Sequence, residues 1–295
     1  MNREQARKAA DKLYARMIAQ VVRAIGPFLG LPISSEVNKG ISKATRPVIQ
    51  KARSQVQNLA YQDYVSVVGS DPVPKQVQNR FTEGLWDGVI EAQTKKSESV
   101  SLAVAESIGM QADRWTRDAE WGQRLDSAKK DSRVGTVARV DFEPPTCPWC
   151  TVLNSRGPVY HTLETGAATL HEGDTCTLVF VPKGSKTYPG QEHTEAALKR
   201  YKAATKAVGT KPTDVFRFLK EEDLGREIKP KVGKVRTNAR NAAKETAQDE
   251  IKAIEARIRT LEKINPKSET ATRYKEEQLS KNKDQLESLT RSLNS

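Results

Sequence analysis

At 295 residues, with 37% hydrophobic and 29% charged residues and a mean hydropathy of -0.65, the chain has room for a core but not for one along its whole length. Long surface helices and extended arms are expected, rather than a single globule. A formal net charge of +12 with a pI near 9.5 points to a polyanionic partner, nucleic acid or the acidic face of another protein, solubility alone being the alternative; no run of about 18 apolar residues offers a membrane span, and three cysteines argue against a disulfide-stapled scaffold.

The N-terminal stretch MNREQARKAADKLYARMIAQ mixes acids with bases and has no apolar segment, so it does not read as a secretory signal. Leu13, Met17, Val21 and Ile25 step by four beside Tyr14, Ile18 and Val22, which predicts a helix with a broad apolar stripe. Pro27 to Pro32 interrupts it. A second helix is expected over RPVIQKARSQVQNLAYQDYVSVV, ended by the turn signal GSDPVP. Pro74 suits the entry to a third, KQVQNRFTEGLWDGVIEAQ, whose apolar repeat is Phe81, Leu85 and Val89. A fourth carries Val104, Ile108, Trp115 and Leu125. Residues 1–131 therefore read as a helical region.

Near Ser132 the pattern changes to short β-branched runs bounded by Gly and Pro. RVGTVARVDF, GPVYH and CTLVFVP read as strands, with the cysteine pair and His171 in loops between them and Cys176 at the mouth of the last. Residues 132–190 form a small α+β module on this reading. Residues 191–240 read as a basic, irregular connector with one short helix over KPTDVFRFLKEED. Within it Lys229, Lys231, Lys234, Arg236 and Arg240 are candidate phosphate contacts, a solvated linker being the alternative. In residues 241–295, Ala247, Ile251, Ile254, Ile258 and Leu261 alternate steps of four and three. NPKSET breaks this seam, and Leu279, Leu286, Leu289 and Leu293 resume it. An antiparallel helical hairpin follows, or two helices that join partner chains. The fold class is α+β: a mainly helical N-terminal region, a small mixed α/β module with a Cys/His knuckle, and a C-terminal hairpin or coiled-coil arm.

The stretch CPWCTVLNSRGPVYHTLETGAATLHEGDTC holds Cys147, Cys150 and Cys176, the only cysteines, with His161 and His171. Three chemistries fit it. The first is redox, since CPWC resembles the CPYC of glutaredoxins, although that chemistry needs a βαβ frame the flanks do not show. The second is zinc, which takes four ligands in a tetrahedron, and a C-x-x-C turn aims two thiolates at one point. His171 and Cys176 would complete the set, with Asp174 between them as a hard ligand beside soft sulfur. No open position with a general base is visible, so such a zinc is structural, and its binding energy becomes folding energy. The third reading is three buried thiols and a satisfied histidine.

The segments R-V-G-T-V-A-R-V, C-P-W-C-T-V-L-N-S-R-G-P-V-Y and H-E-G-D-T-C-T-L-V-F-V-P, in this order over residues 133–182, resemble the MuF-like (phage Mu F-type) minor capsid proteins of tailed bacteriophages. Those show C-x-x-C, then S-R-G-x-V-Y, then H-x-x-C-x-C before a hydrophobic strand. Asp174 stands where the family has the first cysteine of C-x-C, and if the family's cluster binds zinc, Cys147, Cys150, His171 and Cys176 still supply four ligands. The resemblance implies a virion component, made in the host cytoplasm and present in few copies inside the head near the portal vertex. It implies contact with the portal and other capsid proteins, and a link to DNA packaging or release. Sequence-neutral Lys and Arg contacts to double-stranded DNA suit that setting, and no base-reading zinc finger or helix-turn-helix is visible. Two other classes compete. An assembly enzyme would be a maturation protease built on Ser155 with His161 or His171, although N-S-R-G reads better as a turn before a strand, or an HNH-type nuclease, for which three histidines leave little room; no catalytic set is expected. A general DNA-binding protein is favoured by charge alone.

Overall fold

Helix α1 (Arg3–Ile25) buries the expected stripe: Met17, Ile18, Val21, Val22 and Ile25 are all inaccessible to solvent. The computed structural model to which it belongs describes residues 3–69, 71–72, 83–142, 148–161, 176–224, 232–266 and 269–294. Helices make up 77% of it and the one sheet among the described residues has two strands, so the chain has the mainly helical α+β fold that its patterns predict.

Pro27 sits in a short 3-10 turn, Gly26–Phe28, that ends α1. The next helix, α2 (Ser35–Val68), starts eleven residues before the expected Arg46 and runs through Pro47. Ser34 caps it by accepting the Val37 N–H at 3.2 Å. Around Pro47 the turn is fastened from outside: Arg46 donates to both Asp87 carboxylate oxygens at 2.7 and 3.0 Å, and Ser42 donates to the same carboxylate. Pro47 itself is exposed, so the carbonyl it deprives of a partner lies on the solvent side.

The third helix, α3 (Glu83–Thr94), corrects the predicted stripe by one position. Trp86 and Ile90 are fully buried, Leu85 is 59% exposed, and Phe81 lies outside the described residues. Trp86 decides the phase, because its large ring is buried and its indole N–H donates to Thr45 Oγ1 at 2.9 Å. Helix α4 (Leu102–Lys130) buries Val104, Ile108 and Leu125 as expected, and also Asp113, Arg117, Glu120 and Arg124.

Strands β1 (Val134–Val140) and β2 (Thr177–Pro182) pair antiparallel, with Val137 opposite Phe180 and Arg139 opposite Leu178. GPVYH contributes only an isolated bridge, Val137 to Tyr160, and not a third strand. Between the strands Pro148–Asn154 forms helix α5, so Cys150 is helical rather than in a loop. Pro148 at its first position is preorganised for that geometry. Gly157, at φ 69°, turns the chain after it, as N-S-R-G predicts.

The predicted irregular connector is a second correction. Residues Gln191–Val208 form helix α6, flanked by Gly190 and Gly209, with Thr194, Ala197 and Ala204 buried. Helix α7 (Pro212–Leu224) matches the predicted short helix. The basic segment is helical from Val232 onward, so Lys234, Arg236 and the exposed Arg240 belong to α8 (Val232–Lys263), while Lys229 and Lys231 lie outside the described residues. Helix α9 (Glu269–Asn294) completes the hairpin. Lys275 of α9 donates to the carbonyls of Glu262 and Ile264 at 3.1 and 2.8 Å, satisfying the open end of α8.

The chain packs as two units that are discontinuous in sequence. Unit 1 comprises Met1–Tyr14, Ala52–Arg80 and Arg114–Val235; unit 2 comprises Ala15–Lys51, Phe81–Asp113 and Arg236–Ser295. In unit 1 the sheet is covered on both faces: Val137 and Phe180 join Tyr64, Trp121 and Tyr160, while Ala138, Val140, Val179 and Val181 meet Phe142 and Tyr188. Coverage on both faces explains why both strands read as nearly continuous apolar runs. In unit 2, Ile41, Ile49, Trp86, Ile108, Ile254 and Leu289 are buried.

Candidate functional site

The alternation of β1 sends Arg139 to the same face as Val137, into the apolar cluster of unit 1, where it is fully buried. Burying a guanidinium is costly unless something faces it. Here its centre lies 4.8 Å from the Trp121 ring and its Nη2 donates to Cys150 Sγ at 3.9 Å. Cys176, at the edge of β2, donates its S–H to Asn154 Oδ1 at 3.6 Å. Tyr160 donates to the Leu153 carbonyl at 2.7 Å, and burial pushes its hydroxyl above the ordinary range. Helix α5 and the edge of strand β2 thus bring Cys150 and Cys176 into one buried cluster.

Cys147, His171 and Asp174, the other predicted ligands, lie outside the described residues. Among the described residues no group of three or more His, Cys, Asp and Glu side chains could hold a metal ion. The two thiols that are described fit a soft metal in donor type and in their convergence on one cluster.

The outer side of α5 is fixed by α6 and α7. Arg200 donates to Thr151 Oγ1 at 3.2 Å and to Glu222 at 3.0 Å. Trp149, 40% exposed, stacks on Phe216 with ring centres 5.1 Å apart. Ser155, the predicted nucleophile of a protease, donates its hydroxyl to the Val152 carbonyl at 2.8 Å, the arrangement of a helix end. His161 is exposed, and His171 lies outside the described residues.

Unit 1 also contains a buried polar network that sequence patterns do not reveal. Arg124 donates to Asp63 and, at 3.0 Å, to Glu120, and Tyr14 donates to Glu120 from the other side. Burial alone would lower the Arg124 pKa, but attraction to Asp63 and Glu120 outweighs it and raises it. Beside the network lies a cavity of about 500 Å³ lined by Arg7, Asp63, Arg124, Thr177, Tyr188 and Glu192. Farther along, Asp131 accepts from Tyr64 at 2.5 Å and from Arg133 at 2.7 Å. Only Arg139 carried a sequence signal, since strand alternation puts it in phase with Val137; charges on a helix such as α4 read as a solvated face.

No curated protein and no solved structure matches the chain. The profile of the family described as VG15 protein matches residues 2–204. That span takes in α1 to α5, both strands and most of α6. Covering more than half of the 295 residues, the match shows that the chain belongs to the VG15 protein family, a family of phage proteins.

Proposed function

We propose that the chain is a minor capsid, or head-morphogenesis, protein of a tailed bacteriophage, held inside the head near the portal vertex in contact with the portal and the packaged double-stranded DNA. The observation that carries this reading is the membership in a phage protein family over a span that contains the ordered segments of residues 133–182. Those segments resemble the MuF-like minor capsid proteins, and the basic balance of the chain suits a compartment crowded with phosphate. The reading assigns no catalytic role. Purified virions and a co-expressed portal oligomer test it. The expected result is a particle-associated protein that copurifies with the portal at fixed stoichiometry in high salt. A protein absent from purified virions sinks the reading.

Within it, Cys147, Cys150, His171 and Cys176 hold a structural zinc that ties α5 to the start of β2. Its support is the meeting of Cys150 and Cys176 in one buried cluster. Metal content by plasma mass spectrometry should give about one zinc per chain, lost in Cys147→Ser and kept in Asp174→Ala. A folded wild type without metal removes the zinc and leaves the module to its apolar cluster.

A further inference from the structure

The acids of this chain are unevenly spread. Between positions 12 and 62 eight basic residues face a single acid, Glu36, a net charge of +7 within a chain that carries +12. Two of the eight are used internally: Arg46 holds Asp87, and the buried Arg53 donates to the Trp115 carbonyl. Arg16 and Arg23 of α1, and Lys39, Lys43 and Lys51 of α2, are exposed, and all five belong to unit 2. They lie opposite the buried residues of their own helices, Met17, Ile18 and Val21 on α1 and Ile41, Thr45 and Ile49 on α2. At 1.5 Å per residue, Lys39 and Lys43 are about 6 Å apart along the axis, and Lys39 and Lys51 about 18 Å.

Several exposed cations elsewhere carry a partner. Lys130 pairs with Asp126, Lys281 with Glu277, Arg291 with Glu287 and Arg257 with Glu250. Among the described residues no ion pair involves Lys43 or Lys51. A protein partner would also want an apolar anchor at the centre of its footprint. Among the described residues the exposed large hydrophobic side chains are Leu85, Trp149, Val159, Val208, Ile264 and Tyr274, and none is on α1 or α2. Lys39 faces Glu36, the one acid of the stretch, and the other cations stand in excess of it; flexible cations in excess, without an anchor, match a phosphate backbone, which asks only for neutralised charge and released counterions.

We propose that this acid-poor surface of α1 and α2, marked by Arg16, Arg23, Lys39, Lys43 and Lys51, is where the protein meets the phosphates of double-stranded DNA. It rests on the reading of a protein in contact with packaged DNA, and it assigns that contact to residues other than Lys229, Lys231, Lys234, Arg236 and Arg240. The test is fluorescence anisotropy of a mixed-sequence duplex with the full chain across a sodium chloride series. Each phosphate contact contributes about 0.9 to the slope of log affinity against log salt, so the triple variant Lys39→Gln, Lys43→Gln, Lys51→Gln should flatten it by about 3. All three side chains are exposed, so the variant should melt with the wild type. A parallel variant, Lys229→Gln, Lys231→Gln, Lys234→Gln, should keep the wild-type slope. A wild-type slope in the first variant, or its loss in the second alone, overturns the assignment and leaves the DNA reading standing. A wild type that binds no duplex at low salt removes the DNA reading and this surface with it. Loss of poly-glutamate binding without loss of duplex binding assigns the face to an acidic protein, and also overturns the proposal.

Discussion

Arg124 and Arg139 are both buried, yet they are compensated in different ways. Arg139 rests on an aromatic face and a sulfur, whereas Arg124 answers two carboxylates that have little access to water. Arg124→Met would leave Asp63 and Glu120 buried without their cation, and should cost about 3–5 kcal/mol in urea unfolding at neutral pH. A loss below 1 kcal/mol would mean that water reaches the carboxylates. Asp131 gives a pH signature. The side-chain hydrogen bond from Arg133, with those from Tyr64 and the Arg133 backbone, outweighs burial and holds its carboxyl well below the ordinary value. The unfolded chain therefore takes up the proton first as pH falls. The stabilisation is complete above the unfolded value of about 3.9 and is lost progressively below it. Asp131→Asn should cost about 1.5–3 kcal/mol at neutral pH. Its deficit should stay constant down to about pH 5 and shrink beneath pH 4, as read by denaturant unfolding at each pH. Of these groups only Arg139, in strand phase with Val137, carried a signal in the sequence; a period-based reading gives the charges of a helix to the solvent, and only a fold can show that α4 is enclosed.

Helices with a regular apolar repeat were legible: α1, α4 and the hairpin α8–α9 carry theirs where expected, although α8 begins at Val232, inside the predicted connector, and the short α7 stands over its predicted segment. The misses have local causes. Pro47 reads as a boundary, but Asp87, 40 residues on, holds the turn that leads into it through Ser42 and Arg46. Helix α5 is too short for a period, and α6 carries buried Thr and Ala at helical spacing instead of large apolar residues. For the candidate site, C-x-x-C and the last strand were readable from residue types, whereas Arg139, Trp121 and Tyr160 around the thiols depend on strand pairing and on α4. Gly30 shows how one position can hold an element. It sits at φ 80°, and a Cβ there would come within 2.8 Å of the Gln285 carbonyl on α9, whose side chain donates to the Leu29 carbonyl at 3.0 Å. Gly184, at φ 77°, has open space around a Cβ. Gly184→Ala should therefore cost only the left-handed conformation, about 1–2 kcal/mol, whereas Gly30→Ala should add displacement of α9. Hydrogen exchange should quicken over residues 282–292 in the Gly30 variant and not in the Gly184 one. Equal protection of α9 in both would show that this close approach relaxes without moving the helix.

At the scale of the whole molecule the composition forecast long helices and a basic surface, but a sum of charges has no address. The excess of positive charge is concentrated between positions 12 and 62, in a stretch whose amphipathic pattern drew attention to its apolar side. Chain order likewise hides which segments share a core. The family match ends at residue 204, while unit 2 is built from Ala15–Lys51, Phe81–Asp113 and Arg236–Ser295. The matched span thus holds two of that unit's three segments and lacks the third. The hairpin covers the other two: a Cβ on Gly109 would touch Val22, Ile18 and Ala239 within 4 Å, and Ser292 caps the Leu102 N–H at 3.1 Å. A chain ending at Lys231 should expose Ile18, Val22 and their neighbours as a continuous apolar patch, the kind of surface that drives association. It should bind a hydrophobic dye, self-associate in light scattering, and lose the near-ultraviolet signal of Trp86, which is fully buried in unit 2. A monomeric truncated chain with an unchanged Trp86 signal and no dye uptake would instead show that the first two segments hold their fold without α8 and α9. In that case the hairpin would be an added arm, available for a partner, rather than a wall of the core.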